Sequence, residues 1–129
     1  MKTRDLHVES IRPLLPPAIL LEESPLSEKG SLVVGRARKE LVRILTGEDD
    51  RLIVVVGPCS IHDPVAAADY ARRLAKVAAA TQGELLVVMR TYFEKPRTVA
   101  GWKGLISDPR LDGSCDIPAG LALARSVLL

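Results

Sequence analysis

Two short stretches of this chain carry residue types that can do chemistry. The first is Gly57-Pro58-Cys59-Ser60-Ile61-His62-Asp63-Pro64. A cysteine thiolate placed there could ligate a metal ion or act as a nucleophile. No second cysteine or histidine stands at CxxC or HExxH spacing, so a metal site would need ligands from elsewhere. The plainer alternative makes Cys59 a small buried core thiol, and His62 a polar loop or capping residue rather than a ligand. The second stretch is Arg90-Thr91-Tyr92-Phe93-Glu94-Lys95-Pro96-Arg97-Thr98. Arginine grips carboxylate or phosphate bidentately, and lysine adds a compact, mobile charge. Cations at 90, 95 and 97 with the Thr98 hydroxyl therefore suit a multiply anionic ligand. Pro96 stiffens the backbone between Lys95 and Arg97, which lowers the ordering cost on binding. A solvated run of charge is the competing explanation, but such runs seldom alternate with aromatics.

Charge and aromatics are concentrated together. Residues 90–103 hold four cations (Arg90, Lys95, Arg97, Lys103) against Glu94, a local balance of +3 in a chain of net charge +2. Three of the four aromatic residues, Tyr92, Phe93 and Trp102, fall in the same window. Stacking of single-stranded nucleic acid is the other use of such a mixture; one short patch and a small net charge argue against it. The segment 98–104 (TVAGWKG) reads as a tight loop with Trp102 as its packing anchor, a ligand contact being the alternative. Cys115, in a polar turn, is assigned no role.

The elements that must position these residues follow from local signals. Pro13, Pro16, Pro17 and Pro25 interrupt the first thirty residues, so long regular elements are not expected there. The apolar Leu14, Leu15, Ile19, Leu20 and Leu21 imply that this arm docks, either on its own domain or at an oligomer interface. Residues 32–46 show a helical period through Val34, Ala37, Leu41, Ile44 and Leu45, and Gly47 follows where a left-handed cap is favoured. Leu52–Val56 is a continuous apolar run, as in a strand covered on both faces. Asp63 and Pro64 form a helix start, and residues 65–80 carry a stripe through Ala67, Ala71, Leu74 and Ala78. Leu85–Met89 is a second buried-type strand closed by Arg90, and a last helix is expected over 118–129.

Strand, helix, strand, loop and helix is the rhythm of a parallel α/β fold. A right-handed crossover puts both strands' C-terminal ends on one edge, where such folds bind ligands. Cys59 and Arg90 should therefore approach each other although 31 positions separate them. Two strands are too few for a closed sheet, so the chain reads as the start of a larger α/β protein.

With 129 residues, 47% hydrophobic and 26% charged, one modest core is expected. The longest apolar run is far short of a membrane span, and the charged N-terminus is no secretory signal. Two cysteines make no disulfide framework; a reducing, cytoplasmic setting is expected.

GPCSIHDP at 57–64, MRTYFEKPRT at 89–98 and GWKGLISDPRLDGS at 101–114 closely resemble 3-deoxy-D-arabino-heptulosonate 7-phosphate (DAHP) synthases of the microbial subtype inhibited by aromatic amino acids. The resemblance extends to the LLPP arm and to Asp49-Asp50-Arg51-Leu52. It implies an α/β fold, the N-terminal part of a (β/α)8 barrel, with residues 1–50 as an arm and helix and 51–129 as the first βα units. It further implies condensation of phosphoenolpyruvate with erythrose 4-phosphate at the start of the shikimate pathway, in an enzyme that is oligomeric when intact. By resemblance Cys59 would ligate a divalent ion (manganese, iron, cobalt or zinc) that acts as a Lewis acid. Arg90 would hold the phosphoenolpyruvate carboxylate, Lys95 would act catalytically between the substrates, and Pro96, Arg97 and Thr98 would receive erythrose 4-phosphate. Ser107 and Cys115 depart from residues common in the family and are expected to leave the chemistry untouched. The remaining metal ligands belong to later strands of the family, so this chain alone is expected to be inactive.

Overall fold

The computed structural model describes residues 7–8, 11–94 and 101–129; the expectations for Lys95, Pro96, Arg97 and Thr98 lie outside the described residues. The elements run α1 (Pro17–Glu23), α2 (Glu28–Leu45), β1 (Leu52–Val56), α3 (Pro64–Ala80), β2 (Leu85–Met89) and α4 (Ile117–Leu128).

Helix starts are set by local chemistry. In α3 the Asp63 carboxylate accepts hydrogen bonds from the Val65 and Ala66 amides (2.8 and 3.2 Å), and Pro64 sits where its missing N–H costs nothing. The expected stripe is the covered one: Ala67 is buried and Ala71, Leu74 and Ala78 are half-buried. Helix α2 begins four residues before the position its apolar period suggests, because the Ser27 hydroxyl accepts from the Gly30 amide (3.0 Å) and Glu28 favours the first turn. Its C-terminal Gly47 adopts the expected left-handed φ of 77°. The arm differs from the irregular segment expected. Pro17 opens the short helix α1, and Pro16 takes the extended conformation that a following proline requires. Helix α1 buries none of its residues, but the Ser24 carbonyl accepts from Arg125 Nε on α4 (3.0 Å), tying the arm to the far end of the chain.

The two strands pair in parallel, Leu52 with Leu85 through Val56 with Met89. They are not covered on both faces as their apolar runs suggested. Leu52 and Val55 remain 68% and 62% exposed, while every β2 residue is half-buried. The reason is how little packs on β1 beyond its partner strand: α2 reaches β1, while α3 packs on β2. Arg51 joins this end of the sheet to its surroundings, bonding both Asp49 carboxylate oxygens, Glu40 on α2 (3.1 Å) and the Gln82 carbonyl (3.2 Å).

The tightest packing lies at the opposite edge. Ile61 (2% exposed), Ala67 and Leu105 (0%) form a cluster, and Phe93, Trp102, Leu123 and Val127 pack against it. The core thus sits directly beneath the loops that leave β1 and β2.

Candidate functional site

Parallel pairing carries Val56 and Met89 to the same edge, and the chain beyond each strand is held by its neighbour. The Arg90 amide donates to the Val56 carbonyl (2.8 Å), and the Ile61 amide donates to the Tyr92 carbonyl (2.8 Å). Between these bonds Gly57 faces the Arg90 backbone so closely that an added Cβ would collide with the Arg90 carbonyl. Its φ is ordinary, so glycine serves here for space rather than for backbone freedom.

The Arg90 side chain then turns back over β1's loop. Its Nη1 donates to the carbonyls of Pro58 (2.8 Å) and Cys59 (3.2 Å), and its guanidinium lies 4.6 Å from the Tyr92 ring centroid. The approach of positions 59 and 90 expected from topology is therefore present, made by the guanidinium and the Cys59 backbone. None of the ion pairs among the described residues involves Arg90. Two carbonyl dipoles and an aromatic face orient the group without neutralising it, so a full positive charge remains for an anion.

Cys59 is exposed, which removes the core-thiol reading. The chain bends at Cys59 and Ser60, beyond the end of β1, before Ile61 returns to fill the core. His62 is also exposed; with Pro58, Ala66 and Tyr70 it lines a small, mostly apolar cavity of about 160 Å³. Neither residue belongs to a metal-binding group, since no three His, Cys, Asp or Glu side chains gather among the described residues. One thiolate does not hold a catalytic divalent ion, so these residues by themselves do not fit one and no step is derived through a metal.

The second loop is closed at its base. Glu94 pairs with Gly104 in an antiparallel bridge, and the Leu105 amide donates to the Phe93 carbonyl (3.1 Å). Trp102 packs on the core and donates Nε1–H to the Asp108 carbonyl (2.8 Å), in agreement with its reading as a packing anchor. The Glu94 carboxylate accepts from both the amide (2.8 Å) and the hydroxyl (3.0 Å) of Ser107. That pair was not foreseen. The one available signal was Glu94 standing as the only acid among four cations.

No helix among the described residues is long and apolar enough to cross a membrane. Comparison with known proteins agrees with the geometry. Over 97% of its length the chain is 55% identical to 36% of the Phe-sensitive phospho-2-dehydro-3-deoxyheptonate aldolase of Escherichia coli (strain K12). The Trp-sensitive aldolase of Enterobacter agglomerans is 52% identical over 99% of the chain and 37% of its own length. The structure of the aldolase from Francisella tularensis SCHU S4 superposes with a TM-score of 0.89 at 47% identity, covering 93% of this chain and 35% of that one. The chain thus spans about a third of the length of these relatives. Its parallel strands and helices are the N-terminal third of their TIM barrel. The family model for the DAHP synthetase I family matches residues 23–126, and this chain, with its Arg90 and Cys59 segments meeting at one barrel edge, belongs to that family.

Proposed function

We propose that this chain supplies the N-terminal part of the active site of an enzyme that joins phosphoenolpyruvate, erythrose 4-phosphate and water into 3-deoxy-D-arabino-heptulosonate 7-phosphate and inorganic phosphate. This is the first step of aromatic amino acid biosynthesis, in the cytoplasm. Family membership supports the reaction, and one observation supports the site: an arginine at the strand edge, oriented by the Pro58 and Cys59 carbonyls and left unneutralised. In this reading Arg90 holds the phosphoenolpyruvate carboxylate. Lys95 lies between the substrates, and Pro96, Arg97 and Thr98 receive the erythrose 4-phosphate phosphate. Two anionic substrates repel, and cations fixed beforehand offset that repulsion without reorganising during the reaction.

Residues 1–50 act as an arm and helix outside the barrel, and 51–129 as its first βα units. The intact enzyme takes a divalent metal, with Cys59 as one ligand and the others outside this chain. It is oligomeric, and an aromatic amino acid inhibits it; the names of the Phe-sensitive and Trp-sensitive relatives support the inhibition. Alone, the 129-residue chain binds but does not turn over. A second reading, a non-catalytic anion-binding module, draws on the position of the core directly beneath the Arg90 loop.

Calorimetric titration with phosphoenolpyruvate tests the site. Millimolar or tighter binding is expected, weakened at least about tenfold in Arg90→Ala. Absence of binding by the unaltered chain, or full retention in the variant, would sink it. Assay with both substrates and Mn²⁺ is expected to show no product; turnover at the level of an intact relative would overturn the inactivity of the isolated chain.

A further inference from the structure

A guanidinium carries five N–H donors, two on each terminal nitrogen and one on Nε. In Arg90, Nη1 meets two acceptors, the carbonyls of Pro58 (2.8 Å) and Cys59 (3.2 Å), which use both of its hydrogens. The side chain makes no other hydrogen bond among the described residues. Three donors therefore remain, and one on Nε and one on Nη2 run parallel along a single edge. Such an edge is the fork that a carboxylate accepts bidentately.

Two carbonyls on one nitrogen hold a corner of the group and leave it free to rock about that corner. The Tyr92 ring supplies the missing constraint, its centroid lying 4.6 Å from Arg90 Cζ. The ring is itself held in place. Tyr92 is half-buried, its carbonyl accepts from the Ile61 amide (2.8 Å), and the next carbonyl, of Phe93, accepts from the Leu105 amide (3.1 Å). Ile61 and Leu105 are 2% and 0% exposed, so both anchors belong to the core. No hydrogen bond among the described residues uses the Tyr92 hydroxyl, so Arg90 meets the ring face alone.

We propose that Tyr92 is a positioning residue: its ring fixes the plane of the Arg90 guanidinium so that the Nε–Nη2 edge stands aligned for the carboxylate of an anionic substrate. The inference rests on the reading of Arg90 as the carboxylate anchor, and adds the edge that receives the ligand and the residue that aims it.

Phosphoenolpyruvate is titrated calorimetrically into the 129-residue chain and its variants at constant ionic strength. Tyr92→Leu keeps apolar bulk without a ring face and is expected to bind about fivefold more weakly. Tyr92→Phe keeps the face and is expected to stay within about twofold of the unaltered chain. If Tyr92→Leu does not fold, Tyr92→pentafluorophenylalanine preserves the ring while reversing the charge of its face, and the same loss is expected. A double-mutant cycle separates aiming from packing. Lysine has no plane to fix, so in an Arg90→Lys background Tyr92→Leu should weaken binding by less than about twofold. A packing role would give the same loss in both backgrounds. Equal losses there overturn the proposal, as does a folded Tyr92→Leu that melts lower yet binds unchanged, or a Tyr92→Phe as weak as Tyr92→Leu. An unaltered chain that binds no phosphoenolpyruvate, or an Arg90→Ala variant that binds it as tightly, instead sinks the reading of Arg90, and the inference with it.

Discussion

Substituting Gly57 with alanine probes the strand-edge apposition on which the site depends. The new Cβ would meet the Arg90 carbonyl well inside van der Waals contact, and would crowd Arg90 Cβ at 3.0 Å. Both obstacles are anchored, the carbonyl in the backbone and the residue by the hydrogen bond its amide donates to the Val56 carbonyl (2.8 Å). Relief requires the two chain segments to part by about 1 Å, at a cost of about 1–3 kcal/mol for overpacking. Weakening of the Arg90–Val56 hydrogen bond adds about 1 kcal/mol. A total of about 2–4 kcal/mol is a large share of the roughly 5–15 kcal/mol that stabilises a domain. It should lower the melting temperature by roughly 10 °C. The same displacement draws the Arg90 guanidinium away from the Pro58 and Cys59 carbonyls, so phosphoenolpyruvate binding should weaken about tenfold. Thermal melts by circular dichroism and calorimetric titration measure the two effects. Gly83→Ala is the control, since a Cβ there meets nothing within 4 Å. If Gly57→Ala melts within about 2 °C of the unaltered chain and keeps its affinity, the close approach of Gly57 to Arg90 is refuted.

Gly35 lies inside α2, with open space where its Cβ would be, so Gly35→Ala should stabilise the chain by about 0.5–1 kcal/mol, read as a higher melting temperature. Hydrogen bonds from the Arg51 side chain, and then its amide, hold the Asp49 carboxyl down to about 2. Because that value is below the ordinary one, the stabilisation is complete above about pH 4 and is lost as the pH falls toward 2. The difference in melting temperature between the unaltered chain and Asp49→Asn should therefore be greatest at neutral pH and shrink over that interval. It should also narrow in high salt, since the group is near the surface. A difference that grows on acidification would refute the assignment.

Much of the architecture was legible because it is locally encoded. The Asp63-Pro64 start, the β-branched strands and Gly47 act through a residue's own dihedrals or its nearest amides, and each stands where the sequence indicated. Even the meeting of positions 59 and 90 was readable, because the handedness of a parallel crossover leaves it little choice. The start of α2 at Glu28 was missed because the apolar stripe begins later than the Ser27 cap.

Burial and pairing were another matter. An apolar run such as Leu52–Val56 states that a strand can be covered, but only the count of packed layers decides whether it is, and here β1 is left largely open. Cys59 and Ile61 are both apolar by type, yet across the bend at 59–60 one is exposed and the other lies in the core. Glu94 and Ser107 are thirteen residues apart, with no period linking them, and meet only because the Glu94–Gly104 bridge folds one segment onto the other. Types, caps and strand order were thus written in the chain itself, since they depend on neighbours within a few residues. Exposure of the thiol and the partner of the lone acid were decided by the tertiary fold, since they depend on which distant segments come to share a surface.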